Sequence, residues 1–393
     1  MEHGILAVLI QDLPENLPVE YVTEAPEAKY FPGVLGPNAV VSTHELEVRL
    51  HDETWISTGL WLPAGQIGEI ISHTGTMSGI TVQIGAHTEG LLAKQGPWLR
   101  WPSVCMNFDL SHEVTRVASP FGGIVYITVS ELDDDDEHRA RLTFKGFCKF
   151  PRAVIGKPMV WEQTRNNDVP WAEISSKTMI FTMPTAEVEK IEDIDSTLTR
   201  LDGYVVDVIN FMAYLLHRPY RIVFDKQLVG GMSDCGYPIV MLIDDIDGIF
   251  HVGDAPTLQL FDLLSCIAII SLHENCFDSM TEEALSKVVA SIILHMYFPE
   301  FDPMTFEGIT IPPLFRELWR VHTEVDDTVI QKVITKSQSP EARELDSPTD
   351  MWIQFVYDIC SESGCNLVSL FDQIRPLPLS FAAPPYWSVR EFK

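Results

Sequence analysis

The chain has 393 residues, 46% hydrophobic and 21% charged, a composition that supports two or three hydrophobic cores and excludes a disordered tail or a disulfide miniprotein. Its 56 acidic and 27 basic residues leave a formal charge of −29, so phosphate backbones and anionic lipid surfaces are repelled, which argues against nucleic acid as a partner. The seven cysteines are odd in number and scattered through mostly apolar runs, where they read as small hydrophobes of a reducing compartment.

The N-terminal apolar run, Ile5 to Ile10, has no basic segment before it and makes a poor secretory signal. Residues 1–37 are expected to be a leader, rich in Pro, Glu and Gly from residue 11, laid over the surface of the next domain. Residues 38–150 carry short alternating runs. Leu46, Val48 and Leu50 oppose Glu47 and Arg49, and Leu142, Phe144, Cys148 and Phe150 alternate with Arg141, Thr143, Lys145 and Lys149. Further strands are predicted at Trp55–Pro63, Ile80–Ile84, Val114–Ala118 and Gly123–Ser130, which at this spacing is a β-sandwich.

Beyond Pro151 the period lengthens. Asp195 or Ser196 caps a predicted helix whose apolar face runs from Leu198 to Leu216 and which Pro219 stops. A strand at Arg221–Phe224, an apolar run at Tyr237–Ile243 and helices near Pro256–Asn275 and Thr281–Tyr297 come next. Thr335–Asp350 reads as a solvated loop, and Met351–Cys360 and Leu367–Ile374 close the chain. The fold class expected is therefore α+β multidomain: a β-sandwich, then a domain over 151–393 that passes from mixed α/β to helical. The most apolar stretches, Leu263–Leu272 and Val288–Phe298, are about half the roughly 20 residues a bilayer span needs, so no direct membrane span is expected.

Three blocks in order carry a resemblance: Trp55–Gln66 (WISTGLWLPAGQ), Ile84–Thr88 (IGAHT) and Ala118–Ile127 (ASPFGGIVYI). Phe31-Pro32-Gly33, Pro170–Glu173 and Gly236–Ile239 extend it over nearly the whole chain. The sequence resembles the enhancin-like, mucin-degrading metallopeptidases, and within them the animal factors associated with a cold-sensing TRP cation channel. The resemblance implies a gluzincin-like metallopeptidase fold in the second domain, a cytoplasmic protein peripheral at the plasma membrane, and a protein partner such as a membrane cation channel. The glycines and prolines of the blocks read as turn chemistry, and Trp55 and Trp61 as core, with sugar stacking by Trp55, Trp61, Trp98 and Trp101 as a separate hypothesis.

Active members carry His-Glu-x-x-His on a helix with a Glu downstream, because His at i and i+4 project from one face toward zinc while the Glu activates water. Here the run is His273-Glu274-Asn275-Cys276-Phe277, so a benzyl group stands where the second imidazole is required, and Glu282 or Glu283 comes too soon after it. If the site is active, His273 and Glu282 hold zinc and Glu274 is the general base. Otherwise no cofactor is expected, and the chain is a pseudopeptidase that binds protein. A rebuilt site could draw on Cys276 and His295, whereas Ser279 and Glu282 read more simply as a capping box. Asp234 and Tyr237 are substrate-cleft candidates, Asp234 standing where relatives often have histidine. Asp133–Asp136 with Glu137 reads as a solvated loop although calcium is conceivable, and Asp244-Asp245-Ile246-Asp247 as a polar turn. No phosphate-binding glycine loop, Gly-x-Ser-x-Gly elbow or Cys-x-x-Cys pair is present.

Overall fold

A computed structural model describes residues 17–50, 55–74, 79–94, 96–130, 139–230, 235–339, 345, 347–378, 381 and 388–389. The acidic run at 133–137 lies outside these residues. The chain divides into two compact units, residues 1–199 with 218–244, and residues 200–217 with 245–393.

The first unit opens on eight antiparallel strands: β1 (Ser42–Arg49), β2 (Trp55–Leu62), β3 (Ile67–Ser72), β4 (Ile80–Ile84), β5 (Met106–Asp109), β6 (Val114–Ala118), β7 (Gly123–Val129) and β8 (Arg139–Lys149). They run in the order β5-β4-β7-β2-β8-β3-β6, with β1 also on β8, a near-closed antiparallel barrel or sandwich. All four runs predicted between the two alternating segments are strands. Two strands went unpredicted, and β3 shows why: its inward positions are Gly68, Ile70 and Ser72, with only one apolar side chain among them, and at 68 the Phe147 ring occupies the space a side chain would need.

The long strand β8 does not keep the single alternation its sequence suggests. The register slips where Ser42 faces Phe147 and Thr43 faces Lys145, leaving Gly146 unmatched at a positive φ of 88°. That bulge flips the side-chain sense. Leu142, Phe144 and Phe147 therefore enter the sandwich core, and Cys148 and Phe150 enter a second core.

The second core lies beneath a five-stranded sheet, β13-β12-β11-β10-β9, made of β9 (Arg152–Val154), β10 (Trp171–Ser175), β11 (Met179–Pro184), β12 (Tyr220–Asp225) and β13 (Ile239–Leu242). Only β10–β11 is antiparallel. Two short helices, α1 (Pro158–Thr164) and α2 (Thr185–Val188), connect its strands. β2 and β7 are buried on both faces because they are shared: Leu60, Leu62, Val125 and Ile127 face the sandwich core, while Trp61, Ile124 and Tyr126 face the second core. Phe31 and Ala28 join that second core, so this part of the expected leader is packed, not merely draped.

Helix α3 (Ile194–Phe211) starts in the first unit, where Asp193 Oδ1 accepts from Ser196 N–H (3.0 Å), and continues from Arg200 in the second. The expected cap at Asp195 or Ser196 is thus two or three residues late. The helix also stops before Leu215: Ala213 takes φ +51°, and Tyr214 N–H reaches back to Ile209 C=O (3.0 Å), closing the end well ahead of Pro219.

The rest of the second unit is helical: α4 (Ile246–Phe250), α5 (Leu258–Ile270), α6 (Ser279–Tyr297), α7 (Pro313–Arg320), α8 (Val329–Ser337), α9 (Pro348–Ser363) and α10 (Val368–Asp372), with β14 (Cys365–Asn366) parallel to β15 (Ser388–Val389). The 244–247 segment expected as a polar turn is a helical turn leading into α4. Helix α8 runs on to Ser337 and α9 begins at Pro348, both inside the stretch expected as a loop over 335–350; residues 340–344 and 346 of that stretch lie outside the described residues. Five cysteines are free thiols, but Cys235 and Cys266 are each disulfide-bonded, unlike the seven small hydrophobes expected. Among the described residues no helix is long and apolar enough to cross a membrane.

Candidate metal centre and cleft residues

Helix α5 is initiated by Thr257, whose Oγ1 accepts from Leu260 N–H (3.1 Å), and ends at Ile270. His273, Glu274 and Phe277 therefore lie in the turn before α6, not on a helix. The turn contains Asn275 at φ +61°, a left-handed conformation that breaks any helical i, i+4 face. His273 and Glu274 are exposed, and His273 N–H is held by Gln338 Oε1 at 2.9 Å.

Phe277 is an apolar plug. It is 4% exposed and packs edge-on against Phe355 with ring centroids 6.0 Å apart, in a cluster that continues to Trp352 and Phe371. The next residue, Asp278, caps α6 by accepting from Met280 and Thr281 N–H (3.1 and 3.2 Å) and pairs with Arg375 at 3.4 Å. The cap is thus Asp278, one residue before the Ser279 expected for a capping box.

Glu282 lies in the first turn of α6, half-buried, and burial followed by the Asp278 charge pushes its carboxyl pKa up. Cys276 Sγ–H donates to Ser337 C=O at 3.1 Å, and burial, then Glu282, raise its pKa, the opposite of what a thiolate ligand needs. His295 is exposed, its Nδ1 beside Phe301 C=O at 2.9 Å. Among the described residues no group of three or more His, Cys, Asp or Glu could hold a metal ion. Zinc requires three converging ligands with an open fourth position, and the donors here do not fit it.

Of the cleft candidates, Asp234 lies outside the described residues. Tyr237 is half-buried in the first unit, its ring 3.8 Å below the Arg218 guanidinium and 6.2 Å edge-on from Trp55. Beside it stands a group that sequence reasoning missed. Arg221 on β12 donates to Glu173 Oε1 (2.6 Å), to Trp55 C=O (3.0 Å) and to Ser57 Oγ (3.1 Å), and Tyr126 O–H also donates to Glu173 (3.0 Å). Burial alone would raise the Glu173 pKa, but Arg221, Arg152 and hydrogen bonds bring it below the usual carboxylate range. A second pair, Arg100 and Asp225, is fully buried and bidentate at 2.7 Å for both bonds. Arg221 and Asp225, four apart and so on one face of an otherwise apolar β12, were the available signal for both.

The resemblance blocks meet around these pairs. Trp171 Nε1–H donates to Pro32 C=O at 2.7 Å. His87 sits between Phe31 and Trp171 (centroids 4.6 and 4.4 Å), beside Phe224 C=O, and its pKa is pushed down to about 4, chiefly by burial. A Cβ at Gly123 would stand 2.8 Å from the Gly85 backbone, both residues having positive φ, so the shared glycines serve a close strand approach. Trp61 is buried, and Trp98 lies on the surface.

Residues 37–141 match the N-terminal domain of M60-like peptidases, and residues 160–257 match the family described as Peptidase M60, enhancin and enhancin-like. The chain is 30% identical over 227 residues to TRPM8 channel-associated factor 3 of Rattus norvegicus, covering 56% of this chain and 24% of that protein. It is 29% identical over 228 residues to TRPM8 channel-associated factor 2 of Homo sapiens, covering 54% and 24%. The chain therefore spans about a quarter of the length of these curated relatives. In fold it is similar to the M60 catalytic domain of Clostridium perfringens ZmpC, solved in complex with the sialyl T antigen, at a TM-score of 0.59 and 12% identity over 90% of this chain and 81% of that one.

Proposed function

This chain belongs to the M60 peptidases, enhancin and enhancin-like, and from that membership we propose that it is a pseudopeptidase: the family fold kept as a protein-binding module. The observation that carries the reading is the turn at His273–Phe277, where the side chain due to ligate zinc fills an apolar cluster and the following Asp278 caps a helix. The relation to TRPM8 channel-associated factors makes a membrane cation channel the partner class.

The competing reading is a zinc metallopeptidase acting on glycoproteins through His273, Glu282 and Glu274, favoured by the likeness to an M60 catalytic domain and by the exposure of His273 and Glu274. One comparison separates them. The purified chain is incubated with zinc and a glycoprotein, beside Glu274→Gln. The pseudopeptidase reading expects no cleavage by either protein and sub-stoichiometric metal. Stoichiometric zinc with cleavage that the Glu274→Gln variant abolishes would overturn it.

A further inference from the structure

The second unit contains a cavity of about 320 Å³ between the end of α6 and the segments 254–256 and 298–307. Its apolar wall sets three aromatic side chains, Tyr297, Phe298 and Phe306, all partly exposed, beside Ala255, Pro256 and Pro299. Its polar wall is acidic apart from Thr305. Asp254, Glu300, Asp302 and Glu307 line it, and no Lys, Arg or His does. Surface acids elsewhere find cations, as Glu69 does with Lys145 and Glu47 with Arg139. Among the described residues none of these four carboxylates has an ion-pair partner.

The walls are held in place before anything binds. Tyr297 O–H donates to Asp207 at 2.7 Å and its ring lies edge-on to Tyr204, with centroids 4.5 Å apart. The Phe298–Phe301 turn is closed by a 2.8 Å backbone bond, and Phe306 packs edge-on against buried Phe301 at 5.2 Å. Asp302 Oδ1 accepts from Met304 N–H (3.0 Å), which shapes the loop. Arg200 donates to the carbonyls of Phe250 and Val252 (both 3.1 Å), which fixes the approach to Asp254.

Aromatic faces attract a desolvated cation through their quadrupole, and carboxylates around them add Coulomb attraction that is weak at the rim and stronger toward the cavity. A neutral apolar occupant would leave four mutually repelling carboxylates uncompensated. We propose that this cavity docks a basic segment of a partner protein by seating one of its arginine or lysine side chains. The proposal rests on the protein-binding reading and names the chemistry of the partner.

The probe is a fluorescein-labelled Gly-Arg-Gly-Arg-Gly-Arg-Gly peptide, followed by fluorescence anisotropy at about 0.15 M salt, where diffuse attraction to an acidic protein is largely screened. The wild-type chain is expected to bind, with E300Q/E307Q and Phe306→Ala each weakening binding about tenfold. E189Q/E192Q removes the same charge from exposed positions of the other unit and is expected to change it less than twofold. No binding by the wild type, or equal weakening by E300Q/E307Q and E189Q/E192Q, overturns the proposal, and the glutamine pair decides it even if Phe306→Ala fails to fold. A chain that retains a protein partner yet does not bind the peptide overturns the cavity alone; cleavage in the zinc assay overturns the pseudopeptidase reading and leaves the anisotropy result standing.

Discussion

Asp262 on α5 shows how a single carboxyl is governed by its surroundings. Burial, then the nearby Asp245, raise its pKa to about 6, and Lys287 only partly offsets them. The folded chain therefore holds this proton to higher pH than the unfolded chain does. The contribution is most favourable below the unfolded value near 4 and is lost as pH rises through about 6. Asp262→Asn is expected to raise stability by about 1–2 kcal/mol at pH 8, after allowing for partial exposure, and to leave it unchanged near pH 4. Urea denaturation of both proteins at the two pH values checks this; an equal effect at both would show that the proton is not involved.

At the scale of elements, the turn between α5 and α6 decides what the His-Glu-x-x-Phe run can do. Restoring the missing imidazole by Phe277→His is the direct test. The new ring would point into the cluster of Phe355, Trp352 and Phe371, so it is expected to cost roughly 2–3 kcal/mol through lost packing and a buried polar group. It is not expected to recruit zinc, because His273 and residue 277 share no helical face. Elemental analysis after dialysis against zinc, beside a denaturation curve, reads both effects; one tightly bound zinc per chain would show that the turn can refold into a helix. The missing ligand could be read from residue types, since phenylalanine has no lone pair. The loss of the helix could not, because Ala, Leu and Ile before His273 are compatible with continuation; the chain is diverted by Asn275 in its left-handed conformation and by distant partners, Gln338 on His273 N–H and Phe355 against Phe277.

Across the molecule, the first unit is organised by two cores that share β2 and β7, and polar pairs sit where those layers meet. Arg221 and Glu173 are nearly inaccessible, so removing one partner leaves a buried charge. Arg221→Met is expected to destabilise this unit by about 3–5 kcal/mol, seen as an early loss of tryptophan fluorescence from Trp55, Trp61 and Trp171 on denaturation. Replacing both residues with apolar ones of similar size should recover much of the loss; if the single variant is as stable as the parent, the pair is not structurally important.

Residue pattern by itself determined the class of the chain, the sequence of strands followed by helices, most strand positions and the chemical defect at residue 277, because polarity period and ligand type are local properties. It did not determine the bulge at Gly146 that divides β8 between two cores, the early end of α3 at Ala213, the turn that carries His273, or the unpaired acidic and aromatic walls around Phe306. Those depend on which distant side chains occupy the neighbouring space: Phe147 over Gly68, Phe355 against Phe277, Asp207 on Tyr297. Backbone direction at such points is settled by tertiary packing, which can outweigh local preference by several kcal/mol.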